Sequence, residues 1–212
     1  MPSDTRQRRQ PLQARGHRTV ERILTAATEL ILEDGIDAAA MTAIAARAGV
    51  GPASLYRFFA DRDEILLRLL KTELKKMESW AAQAEDTWEP SSLRDYVEQL
   101  LGMYVEYQER NPLKMRIWYA GRVSSAVTAA EQANNVLLAR RTRDRLIGAG
   151  LVSPDAPAEG VLLGIEVADR IIDLAFRGQS HADPEIIAAG AEMLVRHAER
   201  YSSPALKSGT SR

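Results

Sequence analysis

Apolar residues in the first third of the chain recur at helical spacing. Val20, Ile23, Leu24, Ala27, Leu30 and Ile31 follow the i, i+3, i+4, i+7 rule of one helix face. Gly35, directly after Asp34, suits a helix C-terminus. A short helix is expected from about Thr42, the candidate N-cap, to Ala48, with Gly49 where a left-handed backbone stops it. A third runs from about Pro52 to Phe59. Proline is tolerated in a first turn, because its missing N–H would have been unpaired there anyway.

Further along, Asp61-Arg62-Asp63-Glu64 has the spacing of a capping box and opens a long helix from about Arg62 to Ala84. Ser92-Leu93-Arg94-Asp95 reads as another capped start, and that helix ends near Asn111-Pro112. Three more are expected at about 113–121, 125–147 and 158–177, with Gly148-Ala149-Gly150 and Gly178 as stops. Asp183-Pro184-Glu185 opens the last, to about Tyr201. No segment alternates as a strand would, and no fixed-period repeat appears. The pattern predicts an all-α protein of about nine helices with short loops.

Composition changes this picture little. The 212 residues are 45% hydrophobic and 27% charged, as in an ordinary globular protein. Cysteine is absent, which excludes disulfides, thiolate metal sites and a cysteine nucleophile. The polar N-terminus lacks the apolar core of a secretory signal, and no run suits a membrane span, so a cytoplasmic, soluble protein is expected. The net charge of −1 argues against indiscriminate coating of nucleic acid, but it averages two unlike halves. Residues 1–62 carry +2 and residues 63–212 carry −3. The arm before the first helix is the most basic part: residues 1–22 carry +4 through Arg6, Arg8, Arg9, Arg15, Arg18 and Arg22.

Two short helices joined at Gly49 have helix-turn-helix dimensions. Ile44, Ala45 and Ala48 give the first a small inner face that a second helix can cross closely. Leu55 and Phe59, four apart, would anchor the second and leave Ala53, Ser54, Tyr56 and Arg57 largely outward. Small residues at 53 and 54 permit close approach to a groove floor. Tyr56 offers a donor to phosphate, and Arg57 a planar fork for guanine or phosphate. Spacing alone equally fits two packed core helices.

The linked pattern Ile23-Leu24-x-Ala26-Ala27-x-x-Leu30, Gly35, Thr42-x-Ile44-Ala45-x-x-Ala48-Gly49-Val50, Leu55-Tyr56-x-x-Phe59, Asp63-Glu64-x-Leu66 resembles the TetR family of transcriptional regulators. The motif covers roughly residues 18–70; the remainder is similar only in length and helical layout. The resemblance implies four parts: a basic disordered arm at 1–17, a three-helix DNA-binding domain at 18–78, a ligand-binding and dimerisation bundle at 79–204, and a disordered tail at 205–212. It implies a phosphate contact at Thr42, recognition-helix positions at Ala53, Ser54, Tyr56, Arg57 and Phe58, and a phosphate-binding cation at Arg62. Arg18 and Arg22, beside an ordered helix, are the arm's best contact candidates. Three departures stand out. Gly51 and Pro52 replace the family's frequent Ser and Lys. Arg57 stands where an aromatic is common. Phe58 stands where His is common, and it would pack inward or touch a thymine methyl.

The resemblance further implies a homodimer on double-stranded DNA with palindromic half-sites, a small-molecule effector, and repression as the usual mode. Residues 161–176 are apolar on more than one face, as a helix would be if buried both in its own core and at a partner. Ile165, Ile172, Ile187 and Leu194 are the interface candidates. Trp80, Trp88, Met103, Tyr104, Tyr107, Met115, Trp118, Tyr119 and Phe176 are adaptable side chains for an apolar pocket, though each also fits a plain core. Glu166 and Asp169, with Asp173, would attract a cationic ligand, or pair with Arg170, Arg177 or the arginines at 140–145; pairing is the preferred reading. No cofactor or metal is expected. An enzyme is disfavoured, for there is no phosphate loop and His17, His181 and His197 are scattered. A helical adaptor without DNA binding would explain the bundle but not the motif at 23–66.

Overall fold

The computed structural model describes residues 4–85, 87–121 and 125–203; side chains are described from Arg15 onward, apart from 118–121 and 126–127. The tail expected at 205–212 lies outside the described residues. Among those described there are nine α-helices and no strand. They are α1 Asp4–Asp34, α2 Met41–Ala48, α3 Pro52–Phe58, α4 Arg62–Glu85, α5 Leu93–Arg110, α6 Pro112–Gly121, α7 Ser125–Gly148, α8 Ala158–Ala175 and α9 Pro184–Glu199. The all-α reading holds.

Several boundaries shift for local reasons. α1 begins at Asp4, inside the stretch expected as a disordered arm. Gln, Arg, Leu and Ala dominate that stretch, and all favour helix. Thr42 is not the N-cap of α2: Ala40 is, without a side-chain cap, and Thr42 lies inside the first turn. The chain enters α2 through a 3-10 turn at Ile36–Ala38, too short for periodicity to reveal. The predicted caps of later helices form. Asp61 Oδ1 accepts from the Glu64 N–H at 2.9 Å, while Glu64 Oε2 accepts from the Ala60 N–H at 2.7 Å. Ser92 accepts from the Asp95 N–H, and Asp183 from the Glu185 and Ile186 N–H groups.

The chain folds as two compact units. One is Met1–Glu73 with Arg116–Val127; the other is Leu74–Met115 with Thr128–Arg212. α4 and α6 contribute residues to both. In the first unit, α1 packs on α2 and α2 on α3. Its core holds Ile23, Ile31, Ile44, Leu55, Ile65 and Leu70, all fully buried.

In the second unit, α5, α8 and α9 pack on one another. α9 approaches α8 so closely at Gly190 that an added Cβ would fall 2.4 Å from Ile171 Cγ2. Ile171 is buried and β-branched, so it cannot swing aside. Gly190→Ala is expected to destabilise this unit by about 1–3 kcal/mol through overpacking, despite the better helix propensity of alanine. A lower urea midpoint would show it.

Candidate nucleic-acid interface

The turn between α2 and α3 is built around Gly49, which has φ 61° and ψ 39°. The Val50 N–H reaches Ala45 O at 3.0 Å and the Gly49 N–H reaches Ala46 O at 3.1 Å, the paired bonds of a Schellman stop. A residue with a Cβ would be strained there, and its Cβ would lie 2.9 Å from the Arg22 guanidinium. That guanidinium donates to both Ala48 O and Gly49 O. Arg22, expected as a DNA contact, is thus placed at the end of α2 and holds the turn. The positive group also suits the negative end of the helix. Nothing local in the sequence signals this, because the partners lie 26 and 27 residues apart.

α3 is seated as its pattern predicts. Leu55 is fully buried and Phe59 nearly so, while Ala53, Tyr56 and Arg57 are exposed and Ser54 is half-buried. Tyr56 stands out at 56% exposure, high for an aromatic side chain. Phe58 turns partly inward, with its ring edge 3.8 Å from where a Cβ on Gly16 would sit. The Arg57 guanidinium lies over that ring, 5.0 Å from its centroid. This cation–π contact was not foreseen, although adjacent Arg and Phe are its visible ingredients.

Around α3 lie the remaining candidates. α2 begins without a side-chain cap, so the N–H groups of Met41, Thr42 and Ala43 are open to an outside acceptor, beside the exposed Thr42 hydroxyl. Arg62, half-buried at the start of α4, faces Asp37 at 4.0 Å. Arg18 is exposed on α1. With Arg22 and Arg47 it lines a groove of about 380 Å³. Arg47 is tied to Glu33 at 2.9 Å and to Glu29 at 3.4 Å, which fastens α2 to α1.

The second unit holds the other candidates. Trp80 tilts against Tyr107 with centroids 5.3 Å apart, and Trp88 meets Tyr96 edge-on at 6.0 Å. Met103, Tyr104, Tyr107, Met115 and Phe176 are buried. The side chains of Trp118 and Tyr119 lie outside the described residues. The carboxylates divide. Asp173 pairs with Arg170 and Arg177, as the preferred reading expected. Glu166 and Asp169 instead share the Asn135 amide, which donates to them at 3.2 and 2.7 Å.

Burial pushes the Asp169 carboxyl up, against the opposing pull of Lys114 and Asn135. Lys114 is itself buried, and burial pulls its ammonium below the usual lysine range. Sequence reasoning missed Lys114, although its signal was legible: it shares the buried stripe of α6 with Leu113 and Ile117.

Of the interface candidates, Ile165, Ile172 and Leu194 are already buried by this chain alone, and Ile187 is half-buried. Leu163 and Leu174 on α8 and Met193 on α9 are the large apolar side chains these two helices leave exposed.

A Gly-turned helix pair with a buried anchor row and an outward Tyr–Arg face defines a helix-turn-helix. Residues 23–69 match the family described as bacterial regulatory proteins, tetR family. Over 97 residues the chain is 30% identical to the uncharacterized HTH-type transcriptional regulator YhgD of Bacillus subtilis (strain 168). That match spans 45% of this chain and 49%, about half, of the relative. Through residues 23–69 the chain is thus similar to the tetR family of bacterial regulatory proteins.

Solved structures share the fold. A TetR-family transcriptional regulator from Streptomyces coelicolor is 24% identical, with 86% of this chain and 99% of that one covered and a TM-score of 0.63. The multidrug binding protein EbrR complexed with imidazole is 18% identical, with 84% and 93% covered and a TM-score of 0.63. The fatty acid degradation regulator FadR from Bacillus halodurans is 13% identical, with 83% and 94% covered and a TM-score of 0.64.

Proposed function

We propose that the protein is a dimeric, sequence-specific DNA-binding repressor, released from its operator by a small effector. The exposed face of α3 carries this reading: Ala53, Tyr56 and Arg57 project from a helix whose opposite side is locked down by Leu55 and Phe59. Tyr56 and the start of α2 hold phosphates, Arg57 reads a base edge, and Arg62 adds a phosphate contact. Two copies place two such helices in successive major grooves, about 34–36 Å apart. Repression follows the family's usual mode, and the protein works in the cytoplasm, where its DNA is. Among the described residues no helix is long and apolar enough to cross a membrane.

The effector is apolar or cationic and is taken up in the second unit, by the aromatic set with Glu166 and Asp169. Its chemical cue is the pair of acids, Glu166 and Asp169, which share the Asn135 amide beside the buried Lys114. Coupling to DNA runs along the helices that continue from one unit into the other. α4 leads directly from the turn after α3. α6 carries Arg116, which donates to Ile31 O at 2.9 Å at the end of α1. An effector that favours another setting of α4 and α6 shifts the population away from the DNA-binding arrangement.

Arg62→Ala separates positioning from readout. It is expected to weaken binding to all sequences about evenly, and to lower the slope of log affinity against log salt by about one per half-site, about two for the dimer. Filter retention across a salt series measures both. A change in base preference would contradict the role given to Arg62.

A further inference from the structure

The segment that joins α2 to α3 is Gly49-Val50-Gly51, and two of its three residues lack a Cβ. Glycine leaves the backbone several geometries, so a turn of this composition does not by itself fix the direction of the next helix. α3 adds few ties of its own. It has seven residues, Gly51 offers no side-chain cap, and Leu55 is its one buried residue. The angle at which Ala53, Tyr56 and Arg57 are presented therefore depends on what holds the turn.

The carbonyls at this turn divide into two pairs. A helix leaves its last C=O groups without partners inside the helix. Ala45 O and Ala46 O accept from the Val50 and Gly49 N–H groups. Ala48 O and Gly49 O accept instead from Arg22, whose Nη2 donates to both, to the second at 2.9 Å. Those two oxygens belong to the peptides on either side of the Gly49 Cα, so a single nitrogen fixes both peptide planes. Arg22 rises from α1 beside the fully buried Ile23, which gives it a rigid base. Arg47, tied to Glu29 and Glu33, fastens the same end of α2 to α1.

We propose that Arg22 is a positioning residue for DNA recognition. It acts through the carbonyls of the α2–α3 turn, sets the angle of α3, and makes no phosphate contact of its own. Its effect on recognition rests on the DNA-binding reading; its hold on the turn is a property of the free chain.

Amide hydrogen exchange of the full chain without DNA is the first arm of the test. In Arg22→Ala, exchange at Gly49 and Val50 is expected to quicken about tenfold or more, with Ile31 unchanged. Operator binding is the second arm. On a sequence selected by the native chain, Arg22→Ala should lose about tenfold in affinity and keep the native salt slope, which a lost phosphate contact would lower. Base preference should flatten at the position read by Arg57, and Arg22→Ala should add little in an Arg57→Ala background. Arg22→Lys keeps the charge on a shorter stem and should fall between native and Arg22→Ala in both arms. It decides alone if Arg22→Ala does not fold. Native exchange at Gly49 and Val50, or exchange that rises equally at Ile31, would overturn the hold on the turn. A lowered salt slope with base preference untouched would make Arg22 a phosphate contact and overturn the positioning role. If the native chain selects no sequence, the DNA-binding reading fails and the recognition role with it, while the exchange arm still decides whether Arg22 holds the turn.

Discussion

Leu163→Glu combined with Met193→Glu is expected to give a folded monomer and to cut affinity for a two-half-site operator by more than about a hundredfold. Leu163 is 54% exposed and Met193 55% exposed in the single chain. Charging two exposed positions leaves the core of α8 and α9 intact, so helical content should be retained. Leu163, half-buried Val167 and exposed Leu174 follow i, i+4 and i+11 spacing along one stripe of α8. Ile186, Ala189 and Met193 do the same on α9, at i, i+3 and i+7. A stripe of this kind suits an isologous contact, and two like charges facing their copies would oppose it. The operator effect follows from avidity: once one half-site is bound, the second recognition helix acts at high effective concentration, and a monomer loses that. Light scattering and operator titration are the two readouts. A native chain that is already monomeric at micromolar concentration would contradict the expectation.

Arg57→Ala is expected to cost about ten- to a hundredfold on the preferred operator and to relax the preference at one base position. The exposed guanidinium has the fork that grips guanine O6 and N7, and the Phe58 ring sets where that fork starts from. Phe58→Ala should therefore lower affinity through Arg57, and its effect should largely vanish in an Arg57→Ala background. Independent, additive losses would show that Phe58 only supports packing near Gly16. Unchanged base preference in Arg57→Ala would remove Arg57 from readout altogether.

The first unit was legible to the level of single side chains because α2 and α3 are short, periodic and joined at a glycine turn. Ile44, Ala45, Ala48, Leu55 and Phe59 are buried as their spacing requires, and Gly49 takes the left-handed conformation foreseen for it. Contacts between elements escaped. Arg22 reads as one more arm cation until the fold brings it to the end of α2. Thr42 resembles a cap until the 3-10 turn shifts the true cap to Ala40. In the second unit, apolar abundance located the helices but did not sort their faces. Ile165 and Leu194 face the chain's own core, while Leu163 and Met193 face outward. The charge partners there, Lys114 and Asn135, come from different helices and carry no local spacing signal relative to Asp169.

The most direct test of dimeric, sequence-specific DNA binding is selection from a pool of random duplexes by the purified full chain at moderate salt. Enrichment of a two-fold symmetric motif, with half-site centres about one helical turn or a multiple of it apart, is the predicted result. Retention of the pool without enrichment, falling away evenly as salt rises, would contradict the account.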